Sequence, residues 1–196
     1  MMHQRSLKHN NKGYSLVELI ISMAIIVLLT GAAMLTMSMI NSAKAREASV
    51  TFTSEISETS AKSKNQMVIL PDESGVLVMQ PTYSHCIKVY FSEGNECYYI
   101  KKGYFNPAGE TEEDMYIFQD SENVNGGRGI SMTSKVTIKY KSLEADASEE
   151  EIESVYIVFD RSGMCIQGAG TYSFYKKNGN LIADVNLNKN GSYQSY

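Results

Sequence analysis

An α+β fold, one long N-terminal helix followed by an antiparallel β-rich domain, is predicted by three observations. Residues 19–40 run for twenty-two positions without a charge. No Gly or Pro falls between residues 32 and 70, and apolar residues recur there at steps of three and four. Beyond Leu70-Pro71-Asp72 the period changes to two, in a chain of 196 residues holding 13 Tyr and no Trp. A helix followed by a run of strands is the element order of an α+β chain. The expected segments are residues 1–13, a helix over 14–66 with its apolar part at 19–40, and a β-rich domain over 67–196.

Charge divides along the same lines. Net charge is −4, yet residues 1–13 hold Arg5, Lys8 and Lys12 and no acid, leaving −7 for the remainder. An acidic body is poorly matched to phosphate backbones, which need clustered Lys and Arg, so nucleic acid is disfavoured as a partner. Hydrophobic content of 43% with 20% charged residues describes a chain that folds. Cys86, Cys97 and Cys165 are too few for a disulfide framework and lack zinc-site spacing.

At about 1.5 Å per residue, segment 19–40 reaches roughly 33 Å, close to the thickness of a bilayer's hydrocarbon core. The three basic residues before it put the N-terminus in the cytoplasm and the rest of the chain outside, as a single-pass membrane protein. Glu18 stands at the edge of the run. A carboxylate costs about 2.5–3.5 kcal/mol at the bilayer centre and less near an interface. Two roles fit it: a boundary charge that reaches the headgroups, or a partner for a positive charge. A cut after Gly13 would give Tyr14 a new α-amino group one helical turn from Glu18. A neighbouring copy's amine could then be matched by this carboxylate.

The run Lys12-Gly13-Tyr14-Ser15-Leu16-Val17-Glu18-Leu19-Ile20 resembles the class III signal of type IV pilins and pseudopilins. The resemblance implies that a prepilin peptidase cuts after Gly13 and that Tyr14 becomes the N-methylated first residue. It also implies that Glu18 sets subunit register during assembly. Tyr14 stands where that family commonly has Phe or Met, and Leu35 where it commonly has Pro. The implied partners are other pilin or pseudopilin subunits, inner-membrane assembly machinery, and the membrane before assembly. The implied product is a cell-surface filament of a type IV pilus, type II secretion or competence system. A competing site is Ala43-Lys44-Ala45, an A-x-A pattern for ordinary signal peptidase. The apolar run exceeds the about 7–15 residues of a signal peptide, and cleavage there leaves Glu18 without a role.

The helix is expected to continue to about residue 64, with Ala45, Ala48, Phe52 and Ile56 on its packed face. Segments 76–79, 86–91 and 97–100 read as strands, the last two joined by a turn over 92–96. A centred turn would set Tyr90 opposite Cys97 and Cys86 opposite Lys101. Cys86 and Cys97 would then lie too far apart to bridge, which leaves Cys165 as the candidate partner for either, or all three as free thiols. Further strands are expected at 115–118, 136–140 and 154–160. Between them lie a Gly/Asn-rich loop at 120–129 and an acidic segment at 145–153, read as a surface loop or short helical turn. A hairpin joins 171–175 to 181–187 across Asn178-Gly179, followed by a turn at Gly191 and a polar tail. Phe159 and Gly163 ahead of that hairpin and last turn are similar to minor pseudopilins related to the type II secretion H subunit and the FimT-type pilins.

No catalytic constellation emerges, so the chain is not expected to be an enzyme and no cofactor is implied. Strand alternation points His85 and Cys86 to opposite faces, which separates the one adjacent base and nucleophile. Asp120, Glu122, Asn123 and Asn125 offer oxygen ligands for a cation such as Ca²⁺, but their spacing misses the EF-hand pattern. Residues 149–151 read as a solvated acidic run. Two other functions are carried beside the filament subunit. One is a minor tip pilin acting as a binding module for adhesion or DNA uptake; the other is a simple anchored or secreted surface domain.

Overall fold

The computed structural model describes residues 14–72, 74–177 and 179–196, so the leader, with Gly13, lies outside the described residues. Helix α1 spans Leu16–Asn65, within two residues of the expected start and end. It begins with Glu18 in its first turn and closes with Lys62 and Lys64 in its last, each sign complementing the helix dipole. The chain divides within α1 into two compact units, residues 1–39 and 40–196.

In the first unit every described residue is exposed, and α1 is long and apolar enough to cross a membrane. Its hydroxyls are satisfied by their own helix. Ser22 Oγ donates to the Glu18 carbonyl at 2.7 Å, Thr30 Oγ1 to Ile26 at 2.7 Å and Thr36 Oγ1 to Ala32 at 3.0 Å. Such internal bonds let polar residues sit in a water-free surrounding.

In the second unit the stripe Ala45, Ala48, Phe52 and Ile56 is fully buried. It joins the inner faces of two antiparallel sheets in one core. The first sheet is built from β3 (Ser84–Ser92), β4 (Cys97–Phe105), β5 (Tyr116–Ile117), β6 (Ile130–Met132), β9 (Ser154–Phe159) and β10 (Cys165–Gln167). Its order is β10-β9-β3-β4-β5, with β6 also on β4. The second sheet has the order β13-β12-β11-β7-β8, from β7 (Val136–Ser142), β8 (Glu150–Glu151), β11 (Gly170–Lys176), β12 (Leu181–Leu187) and β13 (Tyr193–Ser195). Phe52 packs on Tyr172 and Phe174 of β11, with ring centroids 4.6 and 5.6 Å away. A separate two-stranded hairpin, β1 (Val68–Pro71) and β2 (Leu77–Gln80), follows the helix.

The α+β fold is as expected, and several details differ. The β3–β4 register is two residues off the centred turn: Ser92 faces Cys97, Tyr90 faces Tyr99 and Cys86 faces Gly103. A 3₁₀ turn at Glu93–Asn95, closed by Glu96 in the left-handed region at φ 47°, lets the strands run to its very edges. Cys86, Cys97 and Cys165 are all free and buried, so Cys165 bridges neither of the others. The strand expected at 115–118 is β5 at Tyr116–Ile117, entered from a short helix α2 (Glu112–Met115) capped by Thr111. The acidic segment contributes β8 and buries Ile152, and the polar tail pairs as β13.

Candidate processing and assembly site

The start of α1 is set by Ser15. Its hydroxyl accepts the Glu18 amide at 3.2 Å and its carbonyl accepts the Leu19 amide at 3.2 Å. Ser15-Leu16-Val17-Glu18 has the S-x-x-E spacing of a capping box, in which the glutamate would return to the Ser15 amide. Only the serine half is made. The Glu18 carboxylate has no hydrogen-bond or ionic partner among the described residues. Sequence reading singled out Glu18 but missed Ser15, although the S-x-x-E signal was there to find. Tyr14 precedes the helix and is exposed; Ala43, Lys44 and Ala45 lie inside α1, with Ala45 fully buried.

A second group of charges holds α1 to the sheet within residues 40–196. Lys102 Nζ lies 2.7 Å from Glu55 Oε2 and 2.9 Å from Glu58 Oε2, and Glu58 also pairs with Lys62 at 2.8 Å. Hydrogen bonds from Lys62 and then Lys102 hold the Glu58 carboxyl below the usual carboxylate range. Burial by itself disfavours the charge on Lys102, but its bonds to Glu55 and Glu58 outweigh this and raise its pKa. Beside this group is a cavity of about 230 Å³ lined by Thr59, Lys62, His85 and Tyr104 among others. Burial first, and Lys62 second, push the His85 imidazole down toward the neutral form. His85 pairs across the sheet with Tyr104, whereas Cys86 pairs with Gly103, so alternation separates the two. Burial also pushes the Cys86 thiol up, away from the thiolate a nucleophile needs.

The loop side chains each have a partner within the protein. Asp120 binds Lys101 Nζ at 3.0 Å, and Glu122 accepts the Tyr104 hydroxyl at 2.8 Å. Asn123 bridges both backbone groups of Lys102, and Asn125 donates to the Gly129 carbonyl. Asp120, Glu122 and Asn123 tie the loop to β4, and Asn125 closes the loop on itself. Among the described residues no group of three or more His, Cys, Asp or Glu could hold a metal.

A helix headed by an unpaired carboxylate and apolar on all sides is the kind found in a membrane-anchored precursor. Residues 8–34 match the family model of the prokaryotic N-terminal methylation motif. The chain therefore carries the class III signal of type IV pilins over this segment, which fits a pilin or pseudopilin precursor. No curated protein and no solved structure matches the chain.

Proposed function

We propose that the chain is a type IV pilin-like subunit, trimmed after Gly13, N-methylated on Tyr14 and added to a cell-surface filament. The methylation motif supports a pilin-like precursor handled by a prepilin peptidase and assembled with other pilin subunits. The single observation that carries the finer reading is the Glu18 carboxylate, left without a partner at the head of an exposed apolar helix. In lipid or in a filament core such a charge is unfavourable until a cation meets it. The amine of Tyr14 on a neighbouring copy is that cation, so pairing favours one register and disfavours others. Hydrophobic burial between helices then replaces lipid contact, and heterologous contacts that do not close extend into a filament. Before assembly the N-terminus lies inside and residues 40–196 outside the membrane. Pilus, secretion and competence filaments all fit this reading.

Glu18→Gln tests it. Glutamine keeps the capping-box chemistry and loses the charge, so a purely capping role predicts normal filaments. The charge-pairing role predicts a mature N-terminus still at Tyr14 and a filament yield at least tenfold lower. An N-terminus at Arg46, or an unchanged yield of Glu18→Gln filaments, would overturn the proposal.

A further inference from the structure

The last turns of α1 and the first sheet enclose the cavity of about 230 Å³, with Thr59 and Gln66 on the helix side, His85 of β3 and Tyr104 of β4 on the sheet side, and Glu122 from the turn after β5. Thr59 is only 4% exposed, yet its hydroxyl has no hydrogen-bond partner among the described residues. Every other buried hydroxyl of α1 has one. Ser49 donates to the Arg46 carbonyl at 2.9 Å, Ser60 to Gly163 at 3.4 Å and Ser63 to Ser60 at 2.8 Å. A buried hydroxyl without a partner is destabilising, and a molecule in the cavity relieves it. The His85 ring and the Gln66 amide likewise make no side-chain hydrogen bond among the described residues.

We infer that this cavity takes one neutral hexose unit, its hydroxyls paired with Thr59, Gln66 and His85. Charge argues against an ion. Lys62 is met by Glu58 at 2.8 Å, and Lys102 by Glu55 at 2.7 Å and Glu58 at 2.9 Å, so an anion finds no free cation. The same two ammonium groups repel a cation from Glu122, whose carboxylate already accepts the Tyr104 hydroxyl. What remains are a hydroxyl, a primary amide and an imidazole kept neutral by burial first and Lys62 second. Each of the three both donates and accepts. A sugar hydroxyl does so as well, and it pairs with them whichever way their protons point. His85 stands edge-on to Tyr104, with ring centroids 5.5 Å apart, and the two aromatic bodies suit the C–H face of a sugar ring. The volume lies below the about 300–1,000 Å³ of drug-sized sites, which fits a single ring better than a chain of them. The cavity shares no residue with positions 14–18, so the hexose site stands or falls apart from the filament reading.

NMR of the His85 ring tests this, with the full chain in amine-oxide micelles, whose headgroup is neither a sugar nor an anion, and the signal assigned through His85→Gln. Glucose, galactose, mannose and N-acetylglucosamine are titrated in turn. At least one should shift the ring signals saturably, and glycerol at equal hydroxyl concentration should not. Thr59→Val should raise the half-saturation concentration about tenfold. Its Tm should be unchanged or higher, because the hydroxyl removed has no partner within the protein. Gln66→Leu, at an exposed position, should weaken binding likewise. Silence from all four sugars means that water alone fills the cavity and overturns the inference. So does an equal shift from glycerol, a larger one from glucuronate or phosphate, or undiminished binding by Thr59→Val. Methyl glycosides separate two sources of the sugar. A shift with them assigns the end unit of a glycan and a shift with free sugars alone a soluble hexose, and either supports the site.

Discussion

Lys102→Met should loosen the attachment of α1 to the sheet. The Glu55 side chain is only 10% exposed and Lys102 25%, so the pair lies between the buried and surface limits. Removing one partner of a fully buried pair costs about 3–5 kcal/mol, and surface pairs contribute about 0–1 kcal/mol. Discounting for the partial exposure, and because Glu58 keeps Lys62, the loss is about 2 kcal/mol. For a domain of this size that is a fall in Tm of about 4–8 °C. The assay is thermal unfolding of the full chain in detergent micelles, followed by circular dichroism. Glu55→Leu with Lys102→Met removes the stranded carboxylate and should recover at least half of the loss. The effect also depends on pH. Glu58 has a depressed pKa, so its contribution is present above the ordinary carboxylate value and fades as pH falls through the folded one. Lys102 has a raised pKa, so its contribution is complete below the ordinary lysine value and is lost only as pH rises through the folded one. The Tm difference between wild type and Lys102→Met should therefore be flat from about pH 5 to 9 and shrink below about pH 4. A difference under 1 °C at neutral pH, or a double variant that merely sums the single losses, refutes the reasoning.

Two other outcomes follow from the same packing. Gly191 sits at φ +78°, and a Cβ there would run into the Gly163 carbonyl, whereas Gly179 at φ +86° has open space around it. Gly191→Ala should therefore cost about 2–3 kcal/mol and Gly179→Ala only about 1 kcal/mol, read from the same melts. All three thiols are buried, and burial pushes the Cys165 thiol up to about 12. Maleimide labelling of the native chain should be negligible at neutral pH and reach three thiols only after denaturation.

The helix and the hairpin of β11 and β12 were legible in the sequence because both are local. An unbroken three-four period marks α1, and Asn178-Gly179 marks the turn. The short strands β1, β6, β10 and β13 were not, since three or four residues carry no period of their own and exist only by pairing. Strand β4 was read short because Lys101-Lys102-Gly103 interrupts its apolar run. Lys101 reaches Asp120, Lys102 reaches Glu55 and Glu58, and Gly103 leaves room for the Phe118 ring.

The same distinction separates the two groups of functional charge. Tyr14, Ser15 and Glu18, the proposed processing and assembly residues, lie within five positions, so their spacing is a local signal even though Ser15 went unread. The ties that hold residues 40–196 together bring distant chain segments into contact. Lys102 meets Glu58 across 44 positions, the Tyr98 hydroxyl donates to Glu151 across 53, and the Ser60 hydroxyl donates to the Gly163 carbonyl across 103. No pattern in one sequence announces such pairs. The division also has a physical consequence. None of the described partners of residues 14–18 lies beyond the first turns of α1, so changes there leave the packing around Phe52 untouched. Changes at Lys102 or Gly191 act on stability and leave the cap at Ser15 intact. Processing and assembly on one side, and stability of the β-rich domain on the other, should therefore respond to separate sets of substitutions.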